Sequence, residues 1–177
     1  MAGSDDPVRR AFSGLTLALD GPMFIVTAAA DGERSGCLIG FGVPCSVDPQ
    51  RFMACLSKAN RTHGVARRAT HLAVHVVPVD APELAELFGG ETGDEVDKFA
   101  HVEWREGPHG VPLLEACRNR FVGEVLERVD VGDHEAFLLG PVWAEHRDGD
   151  PALRFGTAKR IEPGHPPDAV TRPPGAV

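Results

Sequence analysis

Residues 36–63 read GCLIGFGVPCSVDPQRFMACLSKANRTH, and this stretch decides the fold. Gly36, Gly40 and Gly42 stand in a strand-like setting, where glycine weakens pairing and needs a reason. Two reasons are open: a flat ligand approaching the backbone, or bulges at a barrel corner. A strand over 51–56 then delivers the chain into Ser57-Lys58-Ala59-Asn60-Arg61-Thr62, and a helix follows over 60–69. A helix N-terminus presents free amides and the positive end of its dipole, which suits a phosphate. Ser57, Asn60 and Thr62 add neutral donors, Lys58 adds charge, and Arg61 adds a charged fork. The plainer reading of the same residues is an ordinary cap on a surface helix.

Upstream, Asp6-Pro7 reads as an N-cap with proline in the first turn. Val8, Phe12, Leu15 and Leu19 follow at near-helical spacing, and Gly21-Pro22 closes that helix. The period then changes to strand. Residues 23–29 are rich in β-formers, Asp31-Gly32 is a hairpin signal, and 34–42 is the returning strand. Asp48-Pro49 marks a turn. Downstream, 71–78 (HLAVHVVP) reads as a buried strand, 81–88 as a helix stopped by Gly89-Gly90, and 94–100 as a short helix. Long strands are expected over 117–129 and 134–145, with a last short one at 152–155. The expected organisation is an N-terminal tail over 1–9, one domain over 10–160 and a flexible Pro-rich tail over 161–177. Many strands with short helices between them predict a mostly β fold, a barrel with helical decoration.

The 177 residues carry a net charge of −8. An acidic surface argues against nucleic-acid and anionic-membrane partners. No apolar run approaches a membrane span, and the N-terminus lacks a signal-peptide pattern. Cys37, Cys45, Cys55 and Cys117 form no CxxC pair, so a reducing, cytoplasmic compartment is expected.

Several motifs in order resemble the flavin reductase-like family, the FMN-binding split β-barrel. Gly36-Cys37-Leu38-Ile39-Gly40-Phe41 resembles its G-x-T-x-N-S element. Cys45-Ser46-Val47-Asp48-Pro49-Gln50 resembles its S-x-S-x-x-P-P turn, and Ser57 to Thr62 its phosphate loop. Asp97-Lys98-Phe99-Ala100, Pro112-Leu113-Leu114 with Cys117, Gly132-Asp133-His134 and Gly140-Pro141-Val142 follow in the family's order. The resemblance covers about residues 10–156. It departs where Leu38, Gly40 and Phe41 replace the family's Thr, Asn and Ser, and where Gln50 replaces its second proline.

The resemblance implies a Greek-key-like, homodimeric barrel with flavin at the interface. FMN, or FAD, would be reduced by NADH or NADPH, and the reduced flavin passed on to a monooxygenase. It implies that Ser57, Lys58, Asn60, Arg61 and Thr62 hold the phosphate. Cys37, Leu38, Ile39, Gly40 and Phe41, with Cys45 and Ser46, would line the ring. Lys98 and Phe99 would close the site, and His134, the catalytic candidate, would lie near the nicotinamide or the flavin edge. The altered ring strand also suits an electron-transfer or sensor module that binds FMN without reducing free flavin. A deazaflavin relative is a further, weaker reading.

Each candidate has a plainer role. Gly132-Asp133-His134 is a good turn between strands, and Lys98 can be a solvated helix lysine. His71 and His75 are four apart, but on a strand they stand well separated, and no carboxylate cluster lies nearby, so no metal is expected. Cys45 has no visible activating partner, and Trp104 and Trp143 read as core or interface residues.

Overall fold

At Asp31-Gly32 both residues take positive φ, 54° and 78°, the pairing a two-residue type I′ hairpin requires. It joins β1 (Phe24–Ala30) to β2 (Glu33–Ile39). The computed structural model describes residues 6–93, 95–161 and 164. The Pro-rich tail expected over 161–177 lies outside the described residues except for Ile161 and Gly164.

After β2 come β3 (Gly42–Val47), β4 (Gln50–Ser57), α2 (Arg61–Arg68), β5 (His71–Val76) and α3 (Pro82–Gly90). Then come the short pair β6 (Trp104–Glu106) and β7 (Pro112–Leu114), the long hairpin β8 (Arg120–Asp130) and β9 (His134–Glu145), and α4 (Phe155–Ala158). The N-terminal helix α1 spans Pro7–Leu17, capped by the Asp6 carboxylate accepting from the Val8 amide. None of its residues is buried. Seven strands form one antiparallel sheet in the order β2-β1-β5-β8-β9-β4-β3.

The sheet curls on itself. Phe24 on β1 and Phe52 on β4 are far apart in strand order, yet their rings meet edge to face at 5.4 Å, and Phe52 meets Phe121 at 5.2 Å. These rings, with Val26, Leu56, Leu72 and Phe137, fill the interior. α2 buries Thr62, His63, Val65 and Ala66 against this core. A second cluster sits outside the curl, where Leu84, Ala85 and Phe88 of α3 pack with Ile25, Val77 and Phe99.

Several boundaries differ from the sequence expectation. The strand expected over 34–42 ends at Ile39, because Gly40 and Phe41 carry the chain to the opposite sheet edge. The stretch after it is therefore a strand, β3, bulged between Pro44 and Ser46. The helix expected over 94–100 is a 3-10 turn at Lys98–His101, capped by Asp97 accepting from the Phe99 amide; residue 94 lies outside the described residues. The short strand at 152–155 is two isolated bridges, Pro78 with Ala152 and Pro22 with Arg154, and the chain then turns into α4.

The glycines have a reason the sequence did not offer. A Cβ on Gly36 would stand 2.8 Å from the Phe88 ring, and one on Gly42 would stand 3.0 Å from the Phe24 ring. Both positions are small because aromatic rings of the protein's own core lie on them. Gly40 has ordinary room, its nearest neighbour being Met23 at 3.7 Å.

Candidate functional site

The start of the β4–α2 connection brings Ser57, Lys58, Phe41 and His134 into one neighbourhood. β4 pairs with β9 so that Ser57 stands opposite His134. The Lys58 amide donates to the Asp133 carbonyl at 3.0 Å, which ties the loop to the β8–β9 turn. Phe41 lies 63% exposed and meets the His134 ring edge to face at 5.3 Å. The Asp133 carboxylate lies 2.7 Å from His134 Nδ1. A carboxylate only accepts, so Nδ1 carries the proton and Nε2 is the open nitrogen of the neutral ring. That hydrogen bond holds the Asp133 carboxyl below its ordinary range.

A cavity of about 360 Å³ is lined by Glu33, Arg34, Ser35, Arg61, Glu95, Asp97 and Lys98, among others. Thr62 is buried beneath it, and its hydroxyl lies 2.9 Å from that of Ser35. Asn60 caps α2 without a side-chain hydrogen bond. Arg61 donates from Nε and Nη2 to Glu33 Oε1, at 3.1 and 2.7 Å, and from Nη1 to the Gly93 carbonyl at 2.9 Å. The Arg61 guanidinium accordingly holds Glu33 below the usual carboxylate range. Arg34 reaches Asp97 at 3.3 Å and lies over the Trp104 ring at 4.9 Å. The loop's other cation is turned away from the cavity: Lys58 Nζ donates to Asp130 and to the Gly132 carbonyl, each at 2.7 Å.

Lys98 corrects the solvated-lysine reading. It is 5% exposed, and its ammonium donates to the Phe88 carbonyl at 3.0 Å and the Gly36 carbonyl at 3.4 Å. It thereby pins the end of α3 to β2. Burial pulls its pKa down. Phe99 is buried beside it, edge-on to Phe88 at 5.9 Å.

The ring-strand candidates divide. Cys37 and Ile39 point into the interior core, and burial pushes the Cys37 thiol up to about 11. Leu38 faces the other way and packs on Gly89 of α3. Side chains of Cys37, Leu38 and Ile39 are thus engaged by the protein itself. β2 is nevertheless an edge strand, so about half of its backbone groups face away from β1. Cys45 and Ser46 lie at the bulge near the β3–β4 turn, where Ser46 opposes Arg51. That is six positions along β4 from Ser57, on the order of 20 Å.

Sequence reasoning missed Glu33, Arg34 and Ser35, which precede the quoted stretch and complete the cavity. Their signal was position alone: they alternate along the strand leading into Gly36. His75 is held within the protein's own hydrogen bonds. Its Nδ1 lies 3.0 Å from the Ile25 carbonyl, and its Nε2 accepts from the Leu114 amide at 3.1 Å, so both nitrogens are used. His71 instead stacks on His109 at 3.6 Å.

The cavity's lining offers the guanidiniums of Arg34 and Arg61 and the Ser35 hydroxyl, beside the carboxylates of Glu33, Glu95 and Asp97; Arg61 holds Glu33 and Arg34 holds Asp97. The guanidinium forks and the hydroxyl are the groups that would suit a phosphate monoester in exchange for those carboxylates.

The sequence profile described as flavin reductase like domain matches residues 17–160. The NADH-dependent FMN reductase RutF of Acinetobacter baylyi is 30% identical over 155 residues, covering 88% of this chain and 80% of RutF. The reductase component of the 4-nitrophenol 4-monooxygenase/4-nitrocatechol 2-monooxygenase of Rhodococcus opacus is 31% identical, over 75% of this chain and 71% of that protein. Among solved structures, the NADH:FAD oxidoreductase SgcE6 of Streptomyces globisporus, in complex with NAD and FAD fragments, superposes with a TM-score of 0.77. It covers 95% of this chain and 99% of its own, and at 22% identity it speaks to the fold alone.

Proposed function

This chain belongs to the flavin reductase-like domain family, and on that premise we propose that it is an NAD(P)H-dependent flavin reductase. Its flavin is FMN or FAD, and the reduced flavin serves a flavin-dependent monooxygenase. When bound, the flavin supplies the ring that accepts hydride and the nicotinamide supplies the hydride. The chain's own residues bind, orient and shield. Ser57, Asn60, Arg61 and Thr62, with Ser35, hold the phosphate at the start of α2. The open backbone edge of β2 and the exposed Phe41 ring face the isoalloxazine, a role that needs no Thr, Asn or Ser side chain at 38, 40 and 41. Lys98 acts by holding the Gly36 carbonyl, and therefore β2, in place. His134 presents Nε2 beside Phe41, with Asp133 fixing its tautomer.

The observation that carries this reading is the continuity of the β4–α2 turn. Ser57 at its start stands opposite His134, which meets Phe41, and Arg61 at its end lines the cavity with Arg34 and Ser35.

A homodimer completes the site in this reading. Val43, Met53 and Leu138 form one cross-strand row on the outer sheet face, and Val43 is 53% exposed. Leu126 and Val142 add exposed apolar area on strands β8 and β9. Apolar patches of this kind favour a partner surface, and two-fold symmetry is the usual way to cover one. Among the described residues no helix is long and apolar enough to cross a membrane. Four free thiols suit the reducing cytoplasm.

The test is an anaerobic absorbance spectrum of the protein with excess FMN, before and after NADH or NADPH. Bleaching of the flavin band at catalytic protein levels is expected. A tightly held flavin that neither nicotinamide bleaches would replace this reading with the electron-transfer or sensor module.

A further inference from the structure

We propose that Glu33 competes with the flavin phosphate for the Arg61 guanidinium, which keeps the flavin an exchangeable substrate; this rests on the flavin-binding reading above. Arg61 turns its Nε–Nη2 edge onto Glu33 Oε1 and gives Nη1 to the Gly93 carbonyl. That edge is the fork with which a guanidinium grips either a carboxylate or a phosphate. Glu33 and Arg61 line the same cavity, so a phosphate arriving there meets a fork already filled by an internal anion. It also meets the charge of the Glu33 carboxylate, which repels it.

Glu33 has somewhere to go. It follows the Asp31-Gly32 turn, and its side chain is one-third exposed, at 33%. Its second oxygen accepts from Arg68 Nη2. Arg68 also donates to Asp31 and to the Gly64 carbonyl, so it keeps partners when Glu33 swings to water. The exchange thus swaps one anion for another at Arg61 without stranding Arg68. A phosphate gains the fork only by displacing the carboxylate, and its affinity is reduced accordingly.

The experiment is fluorescence titration of the flavin-free protein with FMN and with riboflavin, which has the same ring but no phosphate. Wild type is compared with Glu33→Gln, Glu33→Asp and Glu33→Gln/Arg61→Ala. The expected result is that Glu33→Gln tightens FMN about tenfold, equivalent to ~1.4 kcal/mol. Riboflavin affinity stays unchanged, which also reports that the variant is folded. Glu33→Asp, whose shorter arm reaches Arg61 less well, gives an intermediate gain. The FMN gain vanishes in the double variant. Weaker FMN binding in Glu33→Gln would overturn the proposal, because Glu33 would then be orienting Arg61 for the phosphate. Equal tightening of riboflavin would overturn it too. If FMN binds but ignores Glu33, only this inference fails; if wild type binds neither flavin, the functional reading fails with it.

Discussion

Gly36→Ala is the most informative single change, because it separates two reasons for a glycine in the ring strand. The added Cβ would lie 2.8 Å from Phe88 Cε1, 3.1 Å from Cδ1 and 3.2 Å from Thr27 Cγ2. Phe88 is 1% exposed and Thr27 is fully buried, so neither has room to retreat. Overpacking of this kind costs about 1–3 kcal/mol. Alanine recovers about 0.5–1 kcal/mol of the backbone entropy that a strand glycine loses. The net expectation is a loss of roughly 1–2 kcal/mol, or a Tm lower by about 3–6 °C for a domain of this size. Gly40→Ala is the matched control. Its Cβ finds ordinary contacts at 3.7–3.8 Å, so its Tm should hold or rise slightly. Scanning calorimetry on both variants, with FMN titration beside it, gives the answer. Adding Phe88→Leu should remove most of the Gly36→Ala penalty as a coupling between the two sites. The reasoning is refuted if Gly36→Ala melts like wild type while FMN binding collapses, because the space would then belong to the ligand.

His75 makes stability depend on pH. Burial lowers its pKa from 6.5 to about 4. Above 6.5 neither state takes a proton and the group contributes no slope. As pH falls from 6.5 towards 4, only the unfolded chain is protonated, so stability drops by a total on the order of 3 kcal/mol. Urea unfolding of wild type and His75→Gln across this range should show that share of the slope only in wild type; parallel curves would refute it. The proposed dimer is tested at Leu138, in the outer row with Val43 and Met53. Leu138→Arg should give a folded monomer by light scattering with weakened flavin binding, and an unchanged mass would move the interface elsewhere. His134→Ala should lower kcat for flavin reduction while leaving the FMN dissociation constant within a few-fold; an unaltered kcat would reduce His134 to a turn residue.

Much of the fold was written locally. Asp31-Gly32 announced its hairpin because positive φ at two adjacent residues is a chain-local demand. The strand starting at His134 and the helix following Asn60 were legible from period and caps for the same reason. β3 was not, because Gly42 and Pro44 weaken strand propensity, and it pairs only because β4 lies alongside. The family motifs, in order, announced the flavin chemistry. Yet the residues around Arg61 were visible only as a list of donors. Nothing in the order of residues says that Glu33 reaches Arg61, that Lys98 is buried on two carbonyls, or that Phe88 rather than a ligand occupies the space over Gly36. Hydrophobic period and turn chemistry act within a few residues, so the sequence by itself determined most of the longer elements and their kind, and not β3 or the short β6–β7 pair. Charge pairing and close packing act between elements far apart in the chain. Only the curled sheet, with α2 and α3 laid against it, decided which cations stay occupied and which glycines are forced.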